Sequence, residues 1–165
     1  MRMRASMVDM TQTSVLAPVS GRAVALADVP DPVFSAGMVG YGAAVDPPRG
    51  VVDAVAPVSG KLLKLMPHAY VIMTTDNVGV LVHLGLDTVA LDGAGFTTHV
   101  AQGDDVTAGQ LITTYDVAAV EAKGLNPVVP VVIMDEREPG NITASEAVAS
   151  GAEIDSGTVI FTAVK

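Results

Sequence analysis

The sequence predicts an all-β protein, an antiparallel β-sandwich of pseudo-symmetric hairpins with one or two short helices. Three observations predict it. Val and Thr come in short runs that Gly, Pro, Asp or Asn cuts every 8–12 residues or so, the rhythm of strands and turns. Two segments recur: Ala17-Pro-Val-Ser-Gly21 returns intact as Ala56-Pro-Val-Ser-Gly60, and the frame of Gly103–Ile112 returns 48 residues later as Gly151–Ile160. Trp is absent and aromatic residues make up 4% of the chain, so the core must come from Val, Ala, Leu and Ile.

Candidate strands follow in order as Ser14–Ala17, Gly21–Ala25, Gly42–Val45, Val51–Ala54 and Gly60–Leu65. Then come Tyr70–Thr74, Val78–Leu84, Gly95–Val100, Gln110–Tyr115, Val128–Ile133 and Thr158–Val164. Asp28-Val-Pro-Asp-Pro and Asp46-Pro-Pro-Arg-Gly read as rigid turns, since Pro fixes φ and Gly accepts positive φ. Asp76-Asn-Val-Gly separates two strands as a hairpin does. Asp116–Lys123 reads as a helix, with Asp116 as its N-cap and Gly124 closing it. Thr143–Ser150 reads as a second, Thr143 and Glu146 forming a capping box. In the second repeat each copy holds Gly, two residues, Val or Ile, two residues, Gly, two residues, Ile, so tight bends alternate with core plugs. These hairpins resemble those of biotinyl and lipoyl carrier domains, and the fold expected is a barrel-sandwich hybrid.

At 165 residues the chain is one domain's worth, on a scale of roughly 100–200 residues per domain. Residues 1–14 are expected to form a flexible leader and residues 15–165 a single domain. Half the residues are apolar and the mean hydropathy is +0.47, which excludes a disordered acidic tail. Eighteen acidic against nine basic residues give a net charge of −9. Only Arg2 and Arg4 offer a basic footprint, so no nucleic acid is expected as a partner. The same charge disfavours an anionic membrane surface and favours basic protein partners. No apolar stretch approaches the ~20 residues of a spanning helix, so no membrane insertion is expected and the expected localisation is cytoplasmic. Absence of Cys removes disulfides and thiolate chemistry.

The reactive inventory is therefore three His, some hydroxyls and carboxylates. No phosphate-binding P-loop, nucleophile elbow or H-E-x-x-H motif exists. His99 falls in a polar, alternating strand and reads as solvent-facing. His83 stands inside the apolar strand candidate Val78–Leu84, and His68 falls just before the strand expected to pair with it. If the turn between them centres near Asn77, paired residues sum to about 152–154, and His83 lies opposite residue 69–71. Two imidazoles then meet, unless a one-residue slip sends one to the other face. One could attack phosphorus through a neutral nitrogen while the other stabilises the phosphoryl oxygens. Which nitrogen reacts depends on what holds the other N–H, and the Gly85 carbonyl is a candidate. Alternatively both could ligate zinc, with Asp87 or water completing a structural or hydrolytic site.

At Leu81-Val-His-Leu-Gly-Leu-Asp-Thr88, with Pro67-His-Ala-Tyr70 upstream, the chain resembles the glucose-type enzyme IIA of the bacterial phosphoenolpyruvate-dependent sugar phosphotransferase system. Asp28–Phe34, Met38–Gly40 and Leu91–Phe96 add to the resemblance, which runs from about Val15 to Val164. It implies a monomeric phosphocarrier with no prosthetic group. The small phosphocarrier HPr donates a phosphoryl group, and a Cys of enzyme IIB on a sugar transporter accepts it. By motif match His83 is phosphorylated, at Nε2, and His68 is the second active-site His. Asp31 and Asp87 match acidic residues that ring the site, and Phe34, Met38, Val39 and Val89 match an apolar docking rim. The chain departs from many relatives at Met66, where they carry Thr. Some relatives bind zinc through the two His at a complex interface, so the resemblance admits zinc at His68 and His83. A non-catalytic sugar- or carrier-binding module is a third reading, disfavoured by the scarcity of aromatic side chains on which a sugar stacks.

Overall fold

The computed structural model describes residues 12–164. Strands β1 (Gln12–Leu16), β2 (Gly21–Ala25), β3 (Gly40–Asp46), β4 (Val51–Val55) and β5 (Gly60–Met66) fill the first part of the chain. β6 (Ala69–Met73), β7 (Gly79–His83), β8 (Phe96–Thr98), β9 (Asp105–Val106) and β10 (Leu111–Asp116) follow. β11 (Val129–Met134), β12 (Ile142–Ala144), β13 (Glu153–Ile154) and β14 (Val159–Val164) complete the set. They form an eight-stranded sheet in the order β13-β2-β3-β11-β7-β6-β5-β9 and two three-stranded sheets, β1-β14-β12 and β4-β10-β8. Every pairing is antiparallel.

The repeats are a structural symmetry. Ala17 N–H donates to the Thr158 carbonyl at 2.7 Å, and Ala56 N–H donates to that of Gln110 at 2.9 Å. Ala17 and Ala56 in turn accept from Gly157 N–H and Gly109 N–H at 2.9 and 2.8 Å. Even the serine side chains match: Ser20 Oγ accepts from Ser156 N–H and Ser59 Oγ from Ala108 N–H. Gly21 (φ +147°) and Gly60 open β2 and β5, where a Cβ would run into the backbone carbonyl of Asp46 and of Met73 respectively. Gly21→Ala is therefore expected to cost about 2–3 kcal/mol of unfolding free energy, read from the urea midpoint.

Alternation along the strands sorts side chains onto two cores. Ala23, Ala43, Val45, Val80, Val82, Val129, Val131 and Ile133 face the main core between the sheets. Their neighbours Val24, Ala44, Val128 and Val132 face the opposite side of the large sheet. There they join Leu26, Val29, Phe34 and Leu86 in a smaller core, with Leu81 packed against it. His83 lies two residues beyond Leu81 and so emerges on this outer face.

Several local expectations change. The first strand starts at Gln12, so Gln12–Ser14 belongs to the fold; residues 1–11 of the expected leader lie outside the described residues. Asp28–Pro32 is more than a turn. Residues Leu26–Asp28 make a 3-10 turn, and Pro32–Ser35 form a short helix that Asp31 caps through Oδ1, 2.9 Å from Val33 N. Pro at the first helical position starts a helix as readily as it marks a turn. The Val117–Ala122 helix has the expected cap, Asp116 Oδ1 accepting from Ala119 N–H at 3.2 Å. Thr143 does not cap the second helix: it lies in β12, paired with Thr162, and Ser145 stands at the N-cap of Glu146–Ser150. β8 spans only Phe96–Thr98 within the longer run expected there.

Candidate functional site

The β6–β7 hairpin sets the site. Asn77, at φ 64°, turns the chain, and the partners Ala69↔His83 through Met73↔Gly79 each sum to 152. Pairing continues past the strand end, where Leu84 N–H donates to the His68 carbonyl at 2.7 Å. Strict alternation from Ala69 would turn His68 to the other face. It lies instead in the two-residue turn Pro67-His68 between β5 and β6, where alternation lapses. The two imidazoles consequently meet edge to face, with ring centroids 5.2 Å apart and planes at 72°.

Beyond His83 the chain bends back at Gly85 (φ 92°), and the Gly85 carbonyl lies 2.5 Å from His83 Nδ1. A carbonyl oxygen only accepts, so Nδ1 carries the proton and the lone pair of the neutral ring is at Nε2. Burial pushes the His83 imidazole below its ordinary pKa of 6.5, against the opposing pull of the Gly85 hydrogen bond and the charges of Asp31 and Asp87. Burial, then the neighbouring His83, lowers His68 as well. Both rings are thus held neutral at pH 7, the form a nucleophilic imidazole needs. An NMR titration of His83 is expected to show a midpoint below 6.5, with Nε2 staying unprotonated at pH values where a solvated imidazole has begun to charge. A midpoint above 6.5 would contradict this balance.

Asp31 reaches the site from the cap of the Pro32–Ser35 helix, and Asp87 from an exposed left-handed position at φ 58°. Phe34 on that short helix packs its ring 5.4 Å from His83. It is 6% exposed, so it walls the imidazole and belongs to the smaller core rather than to an outer rim. Val39 is half-buried against the same core, whereas Met38 and Val89 are 62% and 65% exposed. Sequence reasoning missed Val33, an exposed apolar neighbour of Phe34, and Thr88, which is fully buried with its hydroxyl directed to the Gly85 carbonyl at 3.4 Å. A polar residue sharing Leu81–Thr88 with three site positions, His83, Gly85 and Asp87, was the available signal.

The donors among the described residues do not by themselves complete a zinc site. Among the described residues no group of three or more His, Cys, Asp or Glu is placed to hold a metal ion. His68 and His83 lack the third protein ligand of a hydrolytic centre and the full set of a structural one. The reading as a zinc domain is thereby unsupported. His99 is elsewhere, exposed on the β4-β10-β8 sheet, with Nε2 2.7 Å from Thr114 Oγ1.

Comparison with known proteins follows the same outline. Residues 13–138 match the family described as the phosphoenolpyruvate-dependent sugar phosphotransferase system, EIIA 1. The chain is similar to the glucose-specific EIIA component of the phosphotransferase system of Oceanobacillus iheyensis, 39% identical over 148 residues that cover 87% of this chain and 88% of that protein. It is also 37% identical over 147 residues to the glucose-specific EIIBCA component of Corynebacterium glutamicum, covering 89% of this chain and 21% of that protein. In structure it is similar to the glucose permease IIA of Mycoplasma capricolum, with a TM-score of 0.80 and 35% identity, covering 92% of this chain and 96% of that one.

Proposed function

The chain belongs to the EIIA 1 family of the phosphoenolpyruvate-dependent sugar phosphotransferase system, and from that premise we propose that Nε2 of His83 carries a phosphoryl group from phosphorylated HPr to a cysteine of enzyme IIB. One observation carries the reading: the Gly85 carbonyl holds the proton at Nδ1 and leaves Nε2 as the nucleophile.

In the accepting step the Nε2 lone pair forms a bond to phosphorus while the bond from phosphorus to the donor breaks, its electron pair leaving with the donor. As Nε2 donates that pair the ring becomes cationic, and the Nδ1–H bond to Gly85 strengthens to meet the charge. In the delivering step the cysteine thiolate forms the S–P bond and the N–P pair returns to Nε2. Nδ1 keeps its proton throughout, so the ring itself neither gains nor loses one. His68, whose ring meets that of His83 at 5.2 Å, donates to the phosphoryl oxygens as charge builds on them.

Asp31 and Asp87 repel an incoming phosphoryl anion, so their use is indirect: they meet basic side chains of the partner. Met38 and Val89, exposed beside this acidic pair's segments, supply apolar docking surface, with Val39 behind them. The name of the EIIBCA relative joins an A unit to a B unit, which supports enzyme IIB as the acceptor. No helix among the described residues is long and apolar enough to cross a membrane, and a cytosolic carrier docking on a membrane-bound transporter is the arrangement proposed. Intact-mass spectrometry after incubation with phosphoenolpyruvate, enzyme I and HPr tests the reading. One acid-labile phosphate per chain is expected; an unmodified mass with active donor present would refute it.

A further inference from the structure

The geometry points to Thr88 as a positioning residue for the nucleophile: its hydroxyl fixes the Gly85 carbonyl, and through it the protonated nitrogen of His83. The inference rests on the phosphocarrier reading for its functional consequence, but its structural core is independent of it.

Thr88 is fully buried, with no exposed side-chain surface. Asp87, at φ 58°, reverses the chain directly before it and returns Thr88 over Gly85. Both arms of the side chain then engage that glycine. Oγ1 donates to the Gly85 carbonyl at 3.4 Å, and Cγ2 fills the space where a Gly85 Cβ would stand, 2.7 Å from its ideal position. The far side of the same segment is pinned by Leu86 N–H donating to the Asn126 carbonyl at 2.8 Å. The loop from Gly85 to Thr88 therefore aims one carbonyl and holds it from two sides. That carbonyl accepts from His83 Nδ1–H, the contact that decides which ring nitrogen is nucleophilic. A neutral imidazole in water divides between two tautomers, so any loosening of the carbonyl returns population to the form with its proton on Nε2, which cannot attack.

The test is the tautomer of His83 in the full, unphosphorylated chain, read from its two ring ¹⁵N chemical shifts, with the rate of phosphoryl uptake beside it. Wild type is expected to show Nδ1 protonated and Nε2 bare. Thr88→Val keeps the shape and removes the hydroxyl; it is expected to show mixed tautomers and uptake slowed roughly fivefold, the effect of one ordinary hydrogen bond. Thr88→Ser keeps the hydroxyl and is expected to restore both signals. Thr88→Ala carries the valine prediction should the valine variant fail to fold. Wild-type tautomer and rate in Thr88→Val would overturn the inference. So would a serine variant as impaired as the valine one, since the methyl and not the hydroxyl would then matter. Should the wild-type chain take up no phosphate at all, the nitrogen shifts still decide the role of Thr88, and only the relay reading fails.

Discussion

His83→Ala is expected to reduce phosphorylation by phosphorylated HPr to background. The chain has no cysteine, and the Gly85 carbonyl fixes the tautomer of His83 alone. Neither of the other imidazoles can substitute. His99 is on a different sheet, hydrogen-bonded to Thr114, which itself donates to Asp53 at 2.8 Å. His68 lies in a turn, and in the proposed relay its ring meets a phosphoryl group already on its neighbour. Because His83 ends its strand on the outer face of the large sheet, alanine there removes a half-buried ring without opening the main core. The far-ultraviolet circular dichroism of the variant is expected to match wild type. Phosphate incorporated by a folded His83→Ala variant would show that the nucleophile lies elsewhere.

His68→Ala is expected to separate the two half-reactions. Its imidazole contributes no nucleophile, so His83 still becomes labelled. Both transfers place the phosphoryl group between two partners, so uptake slows as well; labelling still reaches completion with donor in excess, whereas delivery is read as a rate in which the missing His68 donor shows directly. Removing one such preorganised donor costs on the order of 100-fold in rate. Phosphohistidine should therefore accumulate, with transfer to enzyme IIB slowed by about that factor. His68→Gln, which keeps an N–H at similar reach, should recover part of the loss. Onward transfer at the wild-type rate in His68→Ala would refute the role assigned to it.

Much of the fold was legible because it rests on patterns the chain repeats. The paired Ala-Pro-Val-Ser-Gly segments and the 48-residue echo foretold a pseudo-symmetric sandwich, and the backbone bonds of Ala17 and Ala56 obey it bond for bond. Register brought His68 next to His83 along the strands, since the Asn77 turn fixes the pairing sum at 152, but their meeting on one face also required the lapse of alternation in the Pro67-His68 turn. Features that escaped have local causes. β9 and β13 are two residues long, too short for any alternation to appear, and they are strands only because β5 and β2 accept them as edges. Thr143 followed by Glu146 matched a capping box, but pairing with β14 claimed Thr143 for a strand. Asp31 read as part of a turn, while its carboxylate caps the helix that carries Phe34 to the imidazole. Phe34 read as a rim residue because an aromatic side chain near a site can face outward or inward with the same spelling. The smaller core on the outer face of the sheet decided it. Thr88 was overlooked since its place over Gly85 depends on the left-handed turn at Asp87, which Asp tolerates but does not announce.

The proposed relay turns on one bond, between nitrogen and phosphorus. Nitrogen-15 and phosphorus-31 NMR of the ¹⁵N-labelled, phosphorylated chain reports directly which ring atom holds the group. The account predicts a single N–P coupling, to Nε2 of His83, with the proton still on Nδ1. Coupling to Nδ1 of His83, or to either nitrogen of His68 or His99, would contradict it.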